Sequence, residues 1–192
     1  MPFNVLYVCT GNICRSPMAE LLLRSWADPG AELCVSSAGM RALVGHSIDR
    51  GSASALGQLG IDPSLHRARQ FEEWMASDAD LILTAERSHR DQIMTEVPSS
   101  FKRAFTMKEF VRLAPHVGRG APATVVAEAS ANRAVVGAVQ LSEDNLPDPY
   151  RQAIRAAKTI AQEVTEAVQI TLDMLGFSAQ RMNAERPLPR RA

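Results

Sequence analysis

Short runs rich in apolar residues recur along the chain between polar or glycine-containing stretches. Runs of about four to eight such residues with these boundaries favour strands buried in a sheet. Three runs of this kind and one more polar segment predict strands at residues 3–8, 32–36, 79–84 and 101–105.

Segments with apolar residues at helical spacing separate and follow these strands. A helix is predicted to begin at Ser16, because serine is a favoured N-cap and Pro17 would then occupy the first helical position. Two more helices are predicted at residues 49–59 and 86–97. A long amphipathic helix at 150–175 is expected to cover one face of the sheet.

The alternation of strands and helices predicts an α/β fold. We expect a single three-layer domain, with a mostly parallel four-stranded sheet flanked by helices. The length of 192 residues suits one domain, which we place at residues 1–178. It would carry an inserted Ala-rich segment at about 114–140, helical at its centre, 123–136. Residues 179–192, with two prolines and several arginines, are expected to form a mobile tail.

The charge balance narrows the classes of partner. Lys plus Arg number 21 and Asp plus Glu number 21, so the formal net charge is zero. Binding to nucleic acid or to an anionic membrane relies on excess positive charge, and we therefore expect neither partner. Residues 1–4 lack the basic region and the apolar core that open a signal peptide. We therefore expect a cytoplasmic protein.

The cysteines are few but closely placed. Cys9, Cys14 and Cys34 are an odd number, too few for a disulfide framework in a chain of this size. In a reducing compartment they would be free thiols, metal ligands or catalysts. Cys9 and Cys14 lie five positions apart, and Arg15 follows directly.

The segment from Cys9 to Arg15 lies between a predicted strand and a predicted helix, and it is the candidate phosphate-binding loop. Such a loop wraps backbone N–H groups around a concavity, and the helix N-terminus adds partial positive charge, which suits a tetrahedral dianion. The planar fork of Arg15 can hold two phosphate oxygens. The same field favours the thiolate of Cys9, which would attack phosphorus in line.

The residues by themselves leave other interpretations open. One is a purely structural loop, in which Cys9 would be a small buried hydrophobic residue and Arg15 a solvated charge. A thiol protease would pair Cys9 with His66, but Arg15 favours phosphate chemistry over acyl chemistry. A zinc site would place Arg15 beside a cation, so we predict no metal and no cofactor. The other histidines are expected at the surface: His46, His89 and His116.

The segment at residues 5–20, VLYVCTGNICRSPMAE, resembles the signature of the low-molecular-weight protein tyrosine phosphatases. Further similar motifs follow in the order found in that family and span most of residues 3–175. The long Ala-rich segment is similar to bacterial members with an extended C-terminal half. The further motifs are SSAG at 36–39, HRARQ at 66–70, DLIL at 80–83 and LPDPY at 146–150.

The resemblance implies a role for each matching residue. Cys9 would form a cysteinyl-phosphate, and Arg15 would bind the phosphoryl oxygens and stabilise the transition state. Asp148 would protonate the leaving phenol oxygen and then act as base on water, since a phenolate leaves more easily when protonated. Ser16 would also donate to the thiolate. The resemblance assigns phosphate binding and loop support to Thr10, Gly11, Asn12, Ile13, Cys14, Ser16, Ser37 and His66.

The activity that follows from the resemblance is hydrolysis of phosphotyrosine in proteins, with a bacterial tyrosine kinase as partner or substrate. One alternative is an arsenate reductase of the same fold that uses an external thiol, since no cysteine follows Cys34. Pro17 with Met18 favours the phosphatase. The other alternative is a non-catalytic phosphate-binding module, which would need no acid such as Asp148.

The substrate pocket departs from the best-known members of that family. Tyr150 would supply one aromatic wall, and Ile13 an apolar surface from the loop. Leu43 and Arg151 stand where other members often carry aromatic residues, so the pocket would be less enclosed.

The pair Cys9 and Cys14 also carries a redox expectation. The resemblance implies that Cys14 forms a disulfide with oxidised Cys9 and protects it from irreversible oxidation. The alternative is that Cys14 is a small packing residue beneath the loop.

Overall fold

A parallel sheet of four strands lies at the centre of the computed structural model, which describes residues 1–136, 143–152 and 154–177. The strand order is β2-β1-β3-β4, and every neighbouring pair is parallel, which confirms the predicted sheet. The predicted tail at 179–192 and the end of the Ala-rich segment at 137–140 lie outside the described residues. The strands are β1 Phe3–Cys9, β2 Leu33–Gly39, β3 Leu81–Thr84 and β4 Ala104–Thr106.

Helices cover both faces of the sheet, giving three layers. Strand β1 alternates between them: Val5 and Tyr7 join one buried cluster with α1, α2, α5, α6 and α7, whereas Leu6 and Val8 join another with α3 and α4. Within the described ranges, no helix combines the length and apolar character needed to cross a membrane. The helices are α1 Arg15–Trp26, α2 Arg50–Gln58, α3 Glu73–Asp78, α4 Arg87–Glu96, α5 Met107–Leu113, α6 Pro122–Val136 and α7 Ile154–Met174.

The beginning of α1 differs from the prediction. Its N-cap is Cys14 and its first residue is Arg15, so Ser16 is not the N-cap and Pro17 is not the first helical residue. The Ser16 hydroxyl is used elsewhere, because it lies 3.0 Å from the sulfur of Cys9. The helix therefore begins inside the phosphate-binding loop.

The last helix begins later than predicted. Helix α7 starts at Ile154, and the predicted first residues, from Tyr150, form a turn in which Arg151 adopts a φ of 60°. A left-handed residue does not continue a right-handed helix. Helix α7 packs on α1, α2 and α5, on one side of the sheet as predicted. The turn before it carries Asp148 to the carboxyl edge of the sheet.

The carboxyl ends of the strands meet at this edge, where ligands bind in open α/β sheets. Cys9 ends β1 and lies opposite Gly39, the last residue of β2. A side chain at Gly39 would meet the backbone oxygen of Thr10 at 2.7 Å and the backbone nitrogen of Asn12 at 2.9 Å. Glycine at this position therefore lets β2 support the loop from close by.

Candidate active site

The loop after β1 holds its carbonyl groups outward. Backbone N–H groups of the segment from Met40 to Asp49 donate to the carbonyl oxygens of residues 9, 10, 11 and 13, at 2.8 to 3.0 Å. The His66 ring donates from Nε2 to the fifth, the carbonyl of Asn12, at 2.9 Å. Since N–H and C=O point in opposite directions across a peptide, the N–H groups of residues 10–14 face the concavity. This arrangement suits an anion.

Asn12 joins the loop to its supports. It is fully buried and has a φ of 53°, a left-handed conformation that asparagine tolerates. Its amide nitrogen donates to Ser16 Oγ at 2.9 Å and to Ser37 Oγ at 2.8 Å. Its Oδ1 accepts from the backbone N–H of Arg69 at 2.9 Å. The side chain thus fixes the curvature of the loop on three sides.

Cys9 lies at the base of the concavity, with its sulfur 3.0 Å from Ser16 Oγ. Asn12 donates to the oxygen of the Ser16 hydroxyl, so the hydroxyl proton is left to point towards the sulfur or, at 3.3 Å, towards the carbonyl of Ala38. A negatively charged sulfur is the stronger acceptor. The hydroxyl of Ser16 is therefore placed to donate to the sulfur of Cys9.

Arg15 is nearly fully buried, and its two guanidinium edges have different partners. Nη1 donates to Glu86 Oε1 at 2.5 Å and to the carbonyl of Leu146 at 2.7 Å. Nη2 lies 3.1 Å from Asp148 Oδ2, and Nε has no partner among the described residues. The anchored Nη1 turns the edge formed by Nε and Nη2 towards the concavity, where it can hold two phosphate oxygens.

The cavity above Cys9 has a volume of about 140 Å³. Cys9 and Arg15 lie where a phosphoryl group would bind, and Ile13, Leu43 and Tyr150 supply apolar walls. Asp148 reaches this cavity from the turn before α7. The hydrogen bond from Arg15 to the carbonyl of Leu146, 131 positions further along the chain, holds this turn beside the loop. The cavity is lined by Cys9, Thr10, Gly11, Ile13, Cys14, Arg15, Arg41, Leu43, Asp148 and Tyr150.

Arg151 lies outside this lining. Its side chain is exposed, with Cζ 5.1 Å from the centre of the Tyr150 ring. Arg41, which the sequence analysis did not single out, adds a second arginine to the lining beside Arg15. Glu86 was also missed, although it lies two residues after β3, at the edge where the carboxyl ends of the strands meet.

His89 contradicts its predicted surface position. It lies on α4, is 6% exposed, and has its Nε2 3.0 Å from Thr10 Oγ1. Burial lowers the pKa of His89 to about 4; the charges of Arg15 and Arg41 also lower it, whereas those of Glu86 and Asp148 oppose the shift. The helical pattern of 86–97 did not reveal this position, because it depends on the loop that packs against α4.

The buried imidazole predicts a pH dependence of stability. Below about pH 6.5 the unfolded chain binds a proton at His89, whereas the folded chain does not until about pH 4, so the wild type loses unfolding free energy as the pH falls through this window. His89→Gln should flatten that part of the curve. Urea unfolding at several pH values tests this, with exposed His116→Gln as control. Parallel curves for wild type and His89→Gln would show that His89 contributes nothing to the slope.

Cys14, the second cysteine of the loop, has a raised pKa, whereas reactive thiols have a lowered one. Burial raises the pKa of Cys14 to about 12, and the charge of Asp49 adds to the shift. Cys14 therefore stays protonated near neutral pH, and only its small thiolate fraction can attack oxidised Cys9.

The expected disulfide between Cys9 and Cys14 consequently predicts its own pH dependence. Peroxide converts Cys9 to a sulfenic acid, and attack by Cys14 forms the disulfide with loss of water. Raising the pH from 7 to 9 should increase the ratio of disulfide to sulfinic acid, as measured by mass spectrometry after peroxide treatment. Cys14→Ser should give only sulfinic and sulfonic products. A linked peptide that is absent at every pH would leave Cys14 as a packing residue.

Among the residues that the structure describes, no three His, Cys, Asp or Glu side chains are grouped so that they would hold a metal ion.

Comparison with known proteins identifies relatives in sequence and in structure. Residues 4–121 match the family model described as low molecular weight phosphotyrosine protein phosphatase. A protein-arginine-phosphatase of Geobacillus stearothermophilus is 38% identical over 111 residues, 58% of this chain and 73% of that protein. The low molecular weight protein-tyrosine-phosphatase Wzb of Salmonella typhi is 32% identical over 189 residues, 97% of this chain and 99% of that protein. The structure of the tyrosine phosphatase amsI of Erwinia amylovora matches with a TM-score of 0.67 and 26% identity, covering 90% of this chain and 92% of that one.

Proposed function

The chain belongs to the low molecular weight phosphotyrosine protein phosphatase family, and from this premise we propose that it hydrolyses phosphotyrosine in proteins with Cys9 as nucleophile. The observation that carries the proposal is the convergence of three groups on one cavity. These are the sulfur of Cys9, the edge of Arg15 formed by Nε and Nη2, and the carboxyl group of Asp148.

Substrate binding would begin with the phosphoryl group. Its oxygens accept from the inward N–H groups of the loop and from Nε and Nη2 of Arg15. Asp148 Oδ2 lies 3.1 Å from Arg15 Nη2, where a phosphoryl oxygen would bind. A bound dianion would therefore displace Asp148 from Arg15 towards the leaving group, and Asp148 would enter the first chemical step in its protonated form.

Two chemical steps follow. The thiolate of Cys9 forms a sulfur–phosphorus bond while the bond from phosphorus to the phenol oxygen breaks, and Asp148 gives its proton to that oxygen. Asp148, now a carboxylate, takes a proton from water as the water attacks phosphorus. The sulfur–phosphorus bond breaks, inorganic phosphate leaves, and the Cys9 thiolate is restored.

The walls of the cavity favour a phenol ring over a phosphorylated arginine. Ile13, Leu43 and Tyr150 present apolar surface, which a ring can contact without loss. A guanidinium group in that position would leave buried N–H donors unpaired, a costly mismatch. Arg41 would add an unfavourable positive charge beside it. Phosphoarginine is the substrate to compare, since one relative is a protein-arginine-phosphatase.

The discriminating assay compares three substrates under one condition. We expect kcat/KM for a phosphotyrosyl peptide to exceed that for the same peptide with phosphoarginine by more than about tenfold. Arsenate with a thiol reductant should give no turnover above that of Cys9→Ser. Preferred cleavage of phosphoarginine, or arsenate reduction, would overturn the assignment of substrate.

The partners we propose are phosphotyrosine-containing proteins, with a bacterial tyrosine kinase as the first to test. We propose the cytoplasm as the site of action, because Cys9 must stay reduced to act. We also propose that residues 1–178 form one phosphatase domain. The packing of α7 on α1 supports this single domain, because it places the last described helix and the helix after the loop in one hydrophobic core.

Arg151 predicts a modest preference among peptides. Its exposed charge beside the Tyr150 ring should favour substrates with Asp or Glu next to the phosphotyrosine. The gain should be about 1 kcal/mol or less, because the pair would be solvated. Arg151→Ala should remove the preference and added salt should weaken it, while Arg119→Ala, an exposed arginine paired with Asp173, should not. Equal kcat/KM for acidic and neutral peptides at low salt would refute the role.

A further inference from the structure

The hydrogen bond between His89 on α4 and Thr10 in the loop joins two side chains that the mechanism above does not use. We propose that His89 is a positioning residue, which donates from Nε2 to Thr10 Oγ1 and thereby turns the Thr10 hydroxyl into a further donor to the bound phosphoryl group. The proposal rests on the proposed function, since it assigns a further contact in the same phosphate cavity.

The different surroundings of the two ring nitrogens of His89 determine which nitrogen carries the proton. Nε2 lies 3.0 Å from Thr10 Oγ1, and Nδ1 is buried without a partner among the described residues. A proton on Nδ1 would leave a buried N–H donor unpaired, whereas a bare Nδ1 leaves only a weaker acceptor unpaired. Protonation of both nitrogens would add a buried charge to the same defect. The favoured form therefore has its proton on Nε2 and donates to Thr10.

The hydroxyl of Thr10 then has its acceptor capacity filled. It has two lone pairs and one proton. Its oxygen accepts from His89 Nε2 at 3.0 Å and from Arg15 Nη2 at 3.4 Å. Its own proton is consequently left to point elsewhere, and Thr10 lines the cavity together with Cys9 and Arg15. A phosphoryl oxygen held by Arg15 is the acceptor that reaches this corner when substrate is bound.

The environment keeps this arrangement in place across the working pH range. Burial lowers the pKa of His89 to about 4, so its ring stays neutral near pH 7. The charged groups that face it are Glu86, Arg15, Asp148 and Arg41. Glu86 is itself held by Arg15 at 2.5 Å, so it does not compete for Nε2.

The protonation site is tested directly on the full-length wild-type chain. Long-range nitrogen–proton correlation spectra at pH 7, with His89 assigned by comparison with His89→Gln, report which ring nitrogen carries the proton. We expect a protonated Nε2 and a bare Nδ1. A proton on Nδ1 would mean that Thr10 donates to His89, which overturns the proposal.

Phosphate binding tests the consequence. Inorganic phosphate is titrated into each protein, and binding is followed by calorimetry without any turnover. Thr10→Val preserves shape and should weaken phosphate binding about tenfold, the usual worth of one hydrogen bond to a charged group. His89→Leu should weaken it similarly, His89→Gln should recover part of the loss through its amide N–H, and the double variant Thr10→Val/His89→Leu should be no weaker than either single one.

The outcomes separate this proposal from the proposed function. Unchanged phosphate affinity in Thr10→Val would end it, as would additive losses in the double variant, even if Cys9 proved to be the nucleophile. If His89→Leu does not fold, Thr10→Val and the wild-type spectra still decide. Conversely, if Cys9→Ser retained turnover, the proposed function would fail while the phosphate titrations could still succeed.

Discussion

Cys9→Ser is expected to lower kcat by several orders of magnitude while phosphate and vanadate still bind. The hydroxyl of serine lies beneath the phosphoryl group as the sulfur does, but it is not ionised and is a far weaker nucleophile. The donors that hold the anion, from the loop backbone and Arg15, are untouched by the change. Steady-state turnover of a phosphotyrosyl peptide measures the loss, and calorimetry measures the binding.

Cys34→Ser is the matched control for this variant. Cys34 is exposed and lies on β2 opposite Asn4, away from the carboxyl edge of the sheet. It should keep wild-type turnover. If Cys9→Ser stayed within about tenfold of wild type, Cys9 would not be the nucleophile, since removing a covalent nucleophile costs far more.

Asp148→Asn is expected to lower kcat for phosphotyrosyl peptides by roughly 10²–10⁴-fold, the usual contribution of a general acid. Asparagine keeps the shape of the side chain but has no proton to give. The loss should be smaller for p-nitrophenyl phosphate, because its leaving group needs little protonation. The comparison of the two substrates with one variant therefore isolates proton donation.

A structural effect of Asp148→Asn would look different. The variant also loses the ion pair with Arg15, and a misplaced Arg15 would slow both substrates equally. An equal loss for good and poor leaving groups would thus contradict the acid role. Asp173→Asn, at an exposed carboxylate paired with Arg119, should leave both rates unchanged.

The sheet was predictable because its signal is local and continuous. Each of β1 and β3 is an apolar run buried on both faces, and such runs mark parallel strands covered by helices. Helices α3 and α5, of six and seven residues, were not predicted. Two turns of helix are too short to show a repeating apolar face.

The residues of the candidate site were likewise predictable only where they are close in sequence. Cys9 and Arg15 were predictable because strand, loop and helix are contiguous in sequence. Glu86, Arg41 and His89 reach the loop only through strand order and packing, which a single sequence does not display. Glu86 could have been predicted, because residues that follow a parallel strand lie at the carboxyl edge of the sheet, and β3 pairs with β1. His89 could not, because nothing in its helical pattern indicates that it contacts the loop.

In the proposed mechanism the phosphoryl group passes through the sulfur of Cys9. The most direct measurement of this step is rapid quenching of Asp148→Asn during turnover of p-nitrophenyl phosphate, followed by mass spectrometry of the peptides. Formation of the intermediate should be fast and its hydrolysis slowed, so the peptide containing Cys9 should carry one phosphoryl group. The corresponding peptide of Cys9→Ala/Asp148→Asn should carry none. Phosphate on another residue, or burst-phase turnover with an unmodified Cys9 peptide, would contradict this account.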